Sequence, residues 1–515
     1  MPAIALGASL HDVLHRLKAE PQTYPTIDIS YSSVRPIDTP ILLGLPANGI
    51  RLRFDGPDQR LRLIEVLDFS KSRLSYKNIE IVKPSSLGTA ITAPQSSVSS
   101  RPSFRHVYNR LFGPTFPGEY IPSSSQDGEA AGTYILSYPG IAFTFSIQSS
   151  SAWSVNLDFV TLLSSSAASP ASSMAIFHGS SWSDARASIF TLTSPHPRSL
   201  SLAGRGREGG VDEVELVKVH GEGCIELVRR FGPPFWIILS ETTPQDLVAE
   251  LGPPDAIYRK NDRRLAIHKA RSAGSRHPGR ANGMYSGQDE STDTDQSSSH
   301  TTTDDSDEDD PASTGKSHDM ASAECFYNYF HHGFDVFISS PTTPSARSPT
   351  SPLAFSPPSV NKDPSNATPT AYLTATKLLL HANIPGSYPF NRHRRSRWTL
   401  EHVPSAQHTE PLNSEMPFDD IAGRLREVWR PTYGSKDEEK SLQRGMVLNR
   451  GWGDSPGSSC ELLGGWEESI GGNRKGIGDT TGDGEQSLGN TELFGFPGLV
   501  FEVLKNGAVS CLTVF

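Results

Sequence analysis

A short amphipathic helix, followed by a segment of the form Gly-apolar-x-apolar-x-apolar, recurs four times along this chain. The helical stretches are SLHDVLHRLKAEP (9–21), SFRHVYNRLFGP (103–114), TPQDLVAELGPP (243–254) and PFDDIAGRLREVW (417–429). The strand-like partners are GIRLRF (49–54), GIAFTF (140–145), GFDVFI (333–338) and GLVFEV (498–503). A period near 3.6 in the first set and of 2 in the second gives each unit one apolar helix stripe and one apolar strand face. Neither can bury its face alone, so the units must pack on each other. The expected fold is α+β: four repeated units of one amphipathic helix plus an antiparallel β-meander. Repeated surfaces without a shared polar constellation suit a scaffold better than a single catalytic cleft.

In the first unit Leu10, Val13, Leu14 and Leu17 recur at helical spacing behind Ser9, an N-cap with Asp12 three residues on. Strands follow at 26–31, 41–54 and 60–69. The turn chemistry of DGPDQ (55–59) makes 49–54 and 60–66 an antiparallel hairpin. The second unit repeats the helix at Phe104, Val107, Tyr108 and Leu111, continues through 133–147, and takes ASIFTL (187–192) as its return strand. The third opens after FWIIL (235–239), with Thr243 as cap and Pro244 at the first helical position, where its missing N–H costs nothing. A hairpin is expected around Asn261–Asp262, and the unit resumes at 325–339 and 376–388. The fourth opens at Pro417 and closes on a hairpin turning at Lys505, Asn506 and Gly507. The units therefore span 1–85, 100–240, 241–269 with 324–400, and 412–432 with 491–515.

Between these pieces the composition shifts. Residues 270–323 are rich in Ser, Thr and Asp and include DDSDEDD (304–310); 340–370 carry Ser/Thr-Pro pairs; 433–490 are glycine-rich. Such segments bury too little apolar surface to offset the entropy of ordering and are expected to be disordered inserts. With 36% hydrophobic residues, 44 Gly and 40 Pro, roughly 300 residues remain for a folded core. A net charge of −10 argues against whole-chain attraction to nucleic acid. Cys224, Cys325, Cys460 and Cys511 are scattered without CxxC spacing, and the first residues lack a basic-then-apolar leader. Reduced thiols in a cytoplasmic protein are the expectation. The densest apolar run, PPFWIIL, is too short to cross a bilayer, so membrane contact would be peripheral.

Candidate chemistry is sparse. His11 and His15 have the i, i+4 spacing of two zinc-binding imidazoles but no general-base Glu between them, and a solvated helix face is the plainer reading. His331, His332 and His381, with Asp335, are brought near one another if 325–339 and 376–388 form a hairpin. A His-dependent hydrolase or transferase is the enzymatic alternative they raise; partly buried histidines with backbone partners are the other. No Walker A, GxSxG or dinucleotide fingerprint occurs, and no cofactor or small-molecule substrate is expected. The one dense basic run is RHRRSRW. There Arg392, Arg394, Arg395, Arg397 and Trp398 are candidates for anionic lipid, inositol phosphate or an acidic partner, with a solvated strand face or pairing to 304–310 as alternatives. Thr343, Ser348, Ser351 and Ser356 precede prolines and are candidate phosphorylation sites.

The chain resembles the phagosome assembly factor 1 family. The matching pieces are LGASLHDVLHRL, DISYSSVRPIDTPILLGLPANGIRLRFDGPDQRLRLIEVLD, ILSYPGIAFTFSI, TTPQDLVAELGPPDAIYRKNDRRLAIH, CFYNYFHHGFDVFI, LLHANIPGSYPFN and the stretch from GFPGLVFEV onward. They run in order over nearly the whole chain and skip the inserts, as in a fungal-type member with expanded loops. The resemblance implies a non-enzymatic adaptor of autophagy. It would act at the phagophore assembly site with a β-propeller partner that recognises phosphoinositides; a Golgi-related trafficking role is also attached to the family. No catalytic residue is carried over.

Overall fold

A computed structural model describes residues 4–82, 101–116, 118–122, 132–147, 159–164, 169–190, 212–259, 324–341, 372–403, 410–443, 445–449 and 490–515. The first helix, α1 (Leu10–Ala19), begins where the sequence places it, with the Ser9 hydroxyl accepting from the Asp12 backbone N–H at 3.1 Å. Leu10, Val13, Leu14 and Leu17 are all buried, each worth about 1.5–3 kcal/mol relative to exposure. They pack on Ile41, Leu43, Leu45, Leu52, Phe54 and Leu61 from the meander β1 (Asp28–Ser30), β2 (Ile41–Leu45), β3 (Ile50–Phe54) and β4 (Leu61–Val66). The β3–β4 pairing is the hairpin expected around DGPDQ. On its wet face Arg51 grips Glu65 with two hydrogen bonds of 2.7 and 3.0 Å.

A small two-stranded piece, β5 (Ser75–Tyr76) and β6 (Ile79–Glu80), precedes the second helical turn. Ser103 caps it, but only Phe104–His106 are α-helical; Val107–Leu111 continue as a π-helix in which the Phe112 N–H reaches the Val107 carbonyl. Phe104, Val107 and Leu111 are buried, with Tyr108 packed at their margin. Strands β7 (Glu119–Pro122), β8 (Gly132–Tyr138), β9 (Ile141–Ile147) and β10 (Ala171–Phe177) follow. The return strand is therefore β10, not the expected 187–192. Ser181 caps a helix over Trp182–Ser188 that consumes the start of that segment, while 191–192 lie outside the described residues. In β10 Ser172 and Ser173 occupy half-buried positions, and Ser172 donates to the Thr144 carbonyl. Because β10 pairs antiparallel with both β9 and β4, one sheet of order β1-β2-β3-β4-β10-β9-β8-β7 results.

The second large sheet repeats that order. Thr243 and Asp246 form a reciprocal capping box with Pro244 at the first position of α-helix Pro244–Leu251. It leads into β14 (Ala256–Arg259), β15 (Cys325–Tyr329), β16 (Phe334–Ser339) and β17 (Thr374–His381). A twelve-residue helix, Phe418–Trp429, and a short one, Lys436–Leu442, lead into β20 (Met446–Asn449), β21 (Asn490–Phe496), β22 (Leu499–Leu504) and β23 (Val509–Val514). Strand β17 pairs with β23, giving β14-β15-β16-β17-β23-β22-β21-β20. The turn and return strand of the hairpin expected around Asn261–Asp262 lie outside the described residues; its first strand, β14, pairs with β15.

The segment 214–238, grouped with the second unit by sequence order, joins neither large sheet. Strands β11 (Val214–Gly221), β12 (Cys224–Arg229) and β13 (Phe235–Ile238) combine with β18 (Trp398–Leu400) and β19 (Leu412–Asn413) in a third sheet, β13-β12-β11-β18-β19. Its β11–β18 contact is parallel, with Val217 opposite Trp398. Val217, Ile225, Leu227 and Ile237 from this sheet share one core with Leu247, Ile421, Leu425, Val336, Leu378 and Phe501. The molecule is thus α+β, and its third sheet supplies one wall of the second half's core. No helix among the described residues is long and apolar enough to cross a membrane.

Candidate functional site

The connection from β17 to β18, HANIPGSYPFNRHRRSR, carries most of the unusual chemistry. Asn383 and Asn391 both sit at positive φ (51° and 61°), a region that Asn tolerates better than branched residues. The Asn383 side-chain oxygen accepts from the Asn391 N–H at 2.6 Å, and Ser387 Oγ donates to the Ile384 carbonyl at 2.7 Å, so the loop closes on itself. A reciprocal amide pair ties it to the β3–β4 turn: Gln59 Nε2 donates to the Asn383 carbonyl and Asn383 Nδ2 to Gln59 Oε1, both at 2.8 Å. The first and second halves of the chain meet here.

Burial takes Arg394, Arg395 and Trp398 of the basic run off the surface, while Arg392 and Arg397 are half-buried. Arg394 and Arg395 are 6% and 5% exposed, and Trp398 is 1% exposed. The Arg395 guanidinium donates to three backbone carbonyls from three parts of the chain: Pro57 at 2.6 Å, Ala382 at 2.9 Å and Ser414 at 3.2 Å. Burial lowers its pKa to about 10, yet it stays charged at neutral pH. Arg394 pairs with Glu213 at 3.2 Å, a carboxylate also taken by Arg60 (2.9 Å) and Arg230 (3.0 Å). Arg397, half-buried, bridges Asp58 and Glu415, which raise its pKa against the cost of burial. Asp55 in turn binds Arg62. Arg392 is half-buried and also has partners. These guanidinium groups act as internal fasteners between backbone carbonyls and carboxylates.

Gly333, in the β15–β16 turn, allows this run to lie close. Its φ is +87°, and a Cβ there would fall 2.4 Å from the Arg394 carbonyl oxygen. Trp398 starts β18 and stands edge-on to Phe501, with ring centroids 6.1 Å apart. Thr343, Ser348, Ser351 and Ser356 lie outside the described residues.

The histidines divide into groups that the sequence did not separate. His381 and Asp335 do converge, with Nε2 2.9 Å from one carboxylate oxygen. The other oxygen takes His393 Nε2 at 2.8 Å, and the two rings stack with centroids 3.8 Å apart. His393 sits inside the basic run RHRRSRW. Cys511 lies opposite His381 in the β17–β23 register and bonds to its ring. The imidazolium character concentrates on His381, whose pKa rises to about 10 as Cys511 and Asp335 outweigh burial; burial and the neighbouring His381 charge lower His393 to about 4. Flanked by both rings, Asp335 is held well below the usual carboxylate range despite its burial. His331 and His332 turn elsewhere. His331 Nδ1 is 2.7 Å from Asp255, while His332 stacks on Phe334 and burial drives its pKa down to about 3. His11 is buried and bonded to Asp12 at 3.2 Å, so the expected solvated face holds for His15 alone of that pair. A separate cleft of about 400 Å³ is lined by Arg426, Lys436, Glu439 and Gln443, well removed in sequence from the His–Asp cluster.

Two similarly ordered sheets, held by a buried ionic junction, define an α+β protein whose dense basic run is internal architecture. The chain belongs to the phagosome assembly factor 1 family, whose family model matches residues 1–285 and 370–515. Among curated relatives, a PHAF1 protein of Arabidopsis thaliana is 22% identical over 517 residues, covering 99% of this chain and 90% of the relative. A PHAF1 protein of Drosophila melanogaster is 21% identical over 523 residues, with the same coverage. A PHAF1 protein of Caenorhabditis elegans is 26% identical over 140 residues, covering 27% of this chain and 28% of the relative. No solved structure gives a significant match.

Proposed function

We propose that the protein is a non-catalytic adaptor in phagosome assembly, acting in autophagy at the phagophore assembly site. The family match over nearly the whole chain carries this reading, since the matched residues include the helices and most strands of both large sheets. On this reading each large sheet is a pair of helix-plus-meander units, and function resides on the surfaces that the pairing leaves uncovered. The edge strands of the second sheet offer such surfaces. Ile257 and Tyr258 on β14, and Met446 and Val447 on β20, are exposed apolar residues on strands that, among the described residues, pair on one side only. An edge of this kind invites strand addition or side-chain docking by a protein partner.

The partner is a β-propeller protein that recognises phosphoinositides, and the complex is recruited from the cytoplasm through that recognition. Burial of Arg394, Arg395 and Trp398 favours this over direct phosphoinositide binding through the basic run. Co-purification of the full-length chain under autophagy-inducing conditions tests the pairing. A propeller protein should be recovered, and Ile257→Asp with Met446→Asp should reduce its recovery severalfold. Recovery of no propeller protein, with autophagic flux unchanged on deletion of the chain, contradicts the proposal.

A further inference from the structure

Three side chains from three successive elements bring their ligand atoms together: Asp335 on β16, His381 at the end of β17, and His393 in the connection to β18. The two Nε2 atoms lie 2.9 and 2.8 Å from the two carboxylate oxygens, and the three ligand atoms fall within 4.8 Å of one another. We propose that this cluster is a binding site for one divalent first-row transition ion, with zinc as its probe.

The donor set is the first reason. Two imidazole nitrogens and one carboxylate oxygen suit zinc and its first-row neighbours, whereas magnesium and calcium favour oxygen ligands. Distance is the second. Zinc–ligand bonds of about 2.0–2.2 Å at octahedral or tetrahedral angles separate neighbouring ligand atoms by about 2.8–3.4 Å. Each Nε2 lies in that range from a different carboxylate oxygen, His381 from Oδ2 and His393 from Oδ1, and the three ligand atoms fall within 4.8 Å, so a turn of the carboxylate would bring one oxygen to both imidazoles.

Preorganisation is the third reason. Asp335 lies on a strand paired on both sides. The His381 N–H bonds to the Gly333 carbonyl at 3.0 Å, the Ser396 N–H to the His381 carbonyl at 2.8 Å, and the Arg394 N–H to the Phe330 carbonyl at 2.8 Å. These bonds hold the segment bearing His393 against β16 and β17. Among the described residues, the other histidine groups lack this convergence. His11 and His15 stack 5.5 Å apart, with the carboxylate of Asp12 bonded to His11; His331 meets Asp255 alone of the carboxylates bonded to it.

Charge and access are also favourable. An ion would displace the protons that now lie between the rings and the carboxylate, so binding releases protons. Cys511 lies beside the site, opposite His381 in the β17–β23 register. Asp335 and His393 are buried, whereas the His381 side chain is 17% exposed, so the ion would enter on the His381 side. Occupancy would clasp β16 and β17 to the connection that carries Arg394 and Arg395, stiffening the junction between the two halves.

The test uses the full-length chain, stripped with chelator and dialysed. Zinc is titrated in competition with a chromophoric chelator, and cobalt serves as an optical probe. One tightly bound equivalent is expected, with cobalt ligand-field bands, and a thermal midpoint that falls with chelator and recovers with zinc. Asp335→Asn and His393→Gln should each weaken zinc binding by about 100-fold or more, whereas His15→Gln should leave it unchanged. Uptake that survives His393→Gln overturns the site. Should that variant fail to fold, a wild-type midpoint indifferent to both chelator and zinc overturns it equally.

Discussion

Replacing Arg395 with alanine is expected to destabilise the folded chain by about 3–5 kcal/mol, the range for removing one member of a buried charged network. Three carbonyls depend on this guanidinium: Pro57 in the β3–β4 turn, Ala382 after β17 and Ser414 after β19. Truncation leaves all three without that donor in a region where Arg395 is 5% exposed. An unsatisfied buried acceptor costs about 1–3 kcal/mol, and the losses in one network are not additive. Lysine should rescue little, because a single ammonium lacks the planar fork that spans three acceptors. Denaturant midpoints measure this against Arg35→Ala, which removes an exposed ion pair with Asp38 and should cost no more than about 1 kcal/mol. An Arg395→Ala midpoint matching Arg35→Ala would return the basic run to the surface.

Trp398→Ala is expected to cost about 3–5 kcal/mol as well, by a different mechanism. The indole is 1% exposed and packs against Phe501, while its backbone begins the parallel β11–β18 contact opposite Val217. Truncation opens a cavity at the point where the third sheet meets the second half's core. Trp398→Phe retains most of the ring and should lose less. Thermal unfolding of the two variants separates the readings: a core position ranks alanine far below phenylalanine, whereas a surface contact leaves both near wild type.

The local parts of this fold were legible because their causes are local. Ser9 and Thr243 announce helix starts by their own hydroxyls, Leu10, Val13, Leu14 and Leu17 show a 3.6-residue period, and DGPDQ marks a tight turn. The joins between β4 and β10, and between β17 and β23, were not legible. They bring together segments far apart in sequence, and period-2 patterns do not say which strands meet. Residues 187–192 were misread because strand propensity there yields to the Ser181 cap, while β10 hides its role in a serine-rich stretch. The burial of Arg394 and Arg395 was not legible because charge density shows cations and not their acceptors. Pro57, Ala382 and Ser414 contribute carbonyls, which leave no trace in composition. At the His–Asp cluster, Asp335 and His381 could be brought together from a hairpin, but His393 and Cys511 arrive through a loop and a β17–β23 pairing that the sequence does not reveal.

Flotation with phosphoinositide-bearing vesicles tests recruitment through a partner most directly. The purified full-length chain is mixed with vesicles, alone and with the propeller protein recovered alongside it. The chain should remain in the dense fraction when alone, and should rise with the vesicles once the propeller is added. A chain that floats equally well without the propeller contradicts adaptor-mediated recruitment and makes the protein itself the membrane binder.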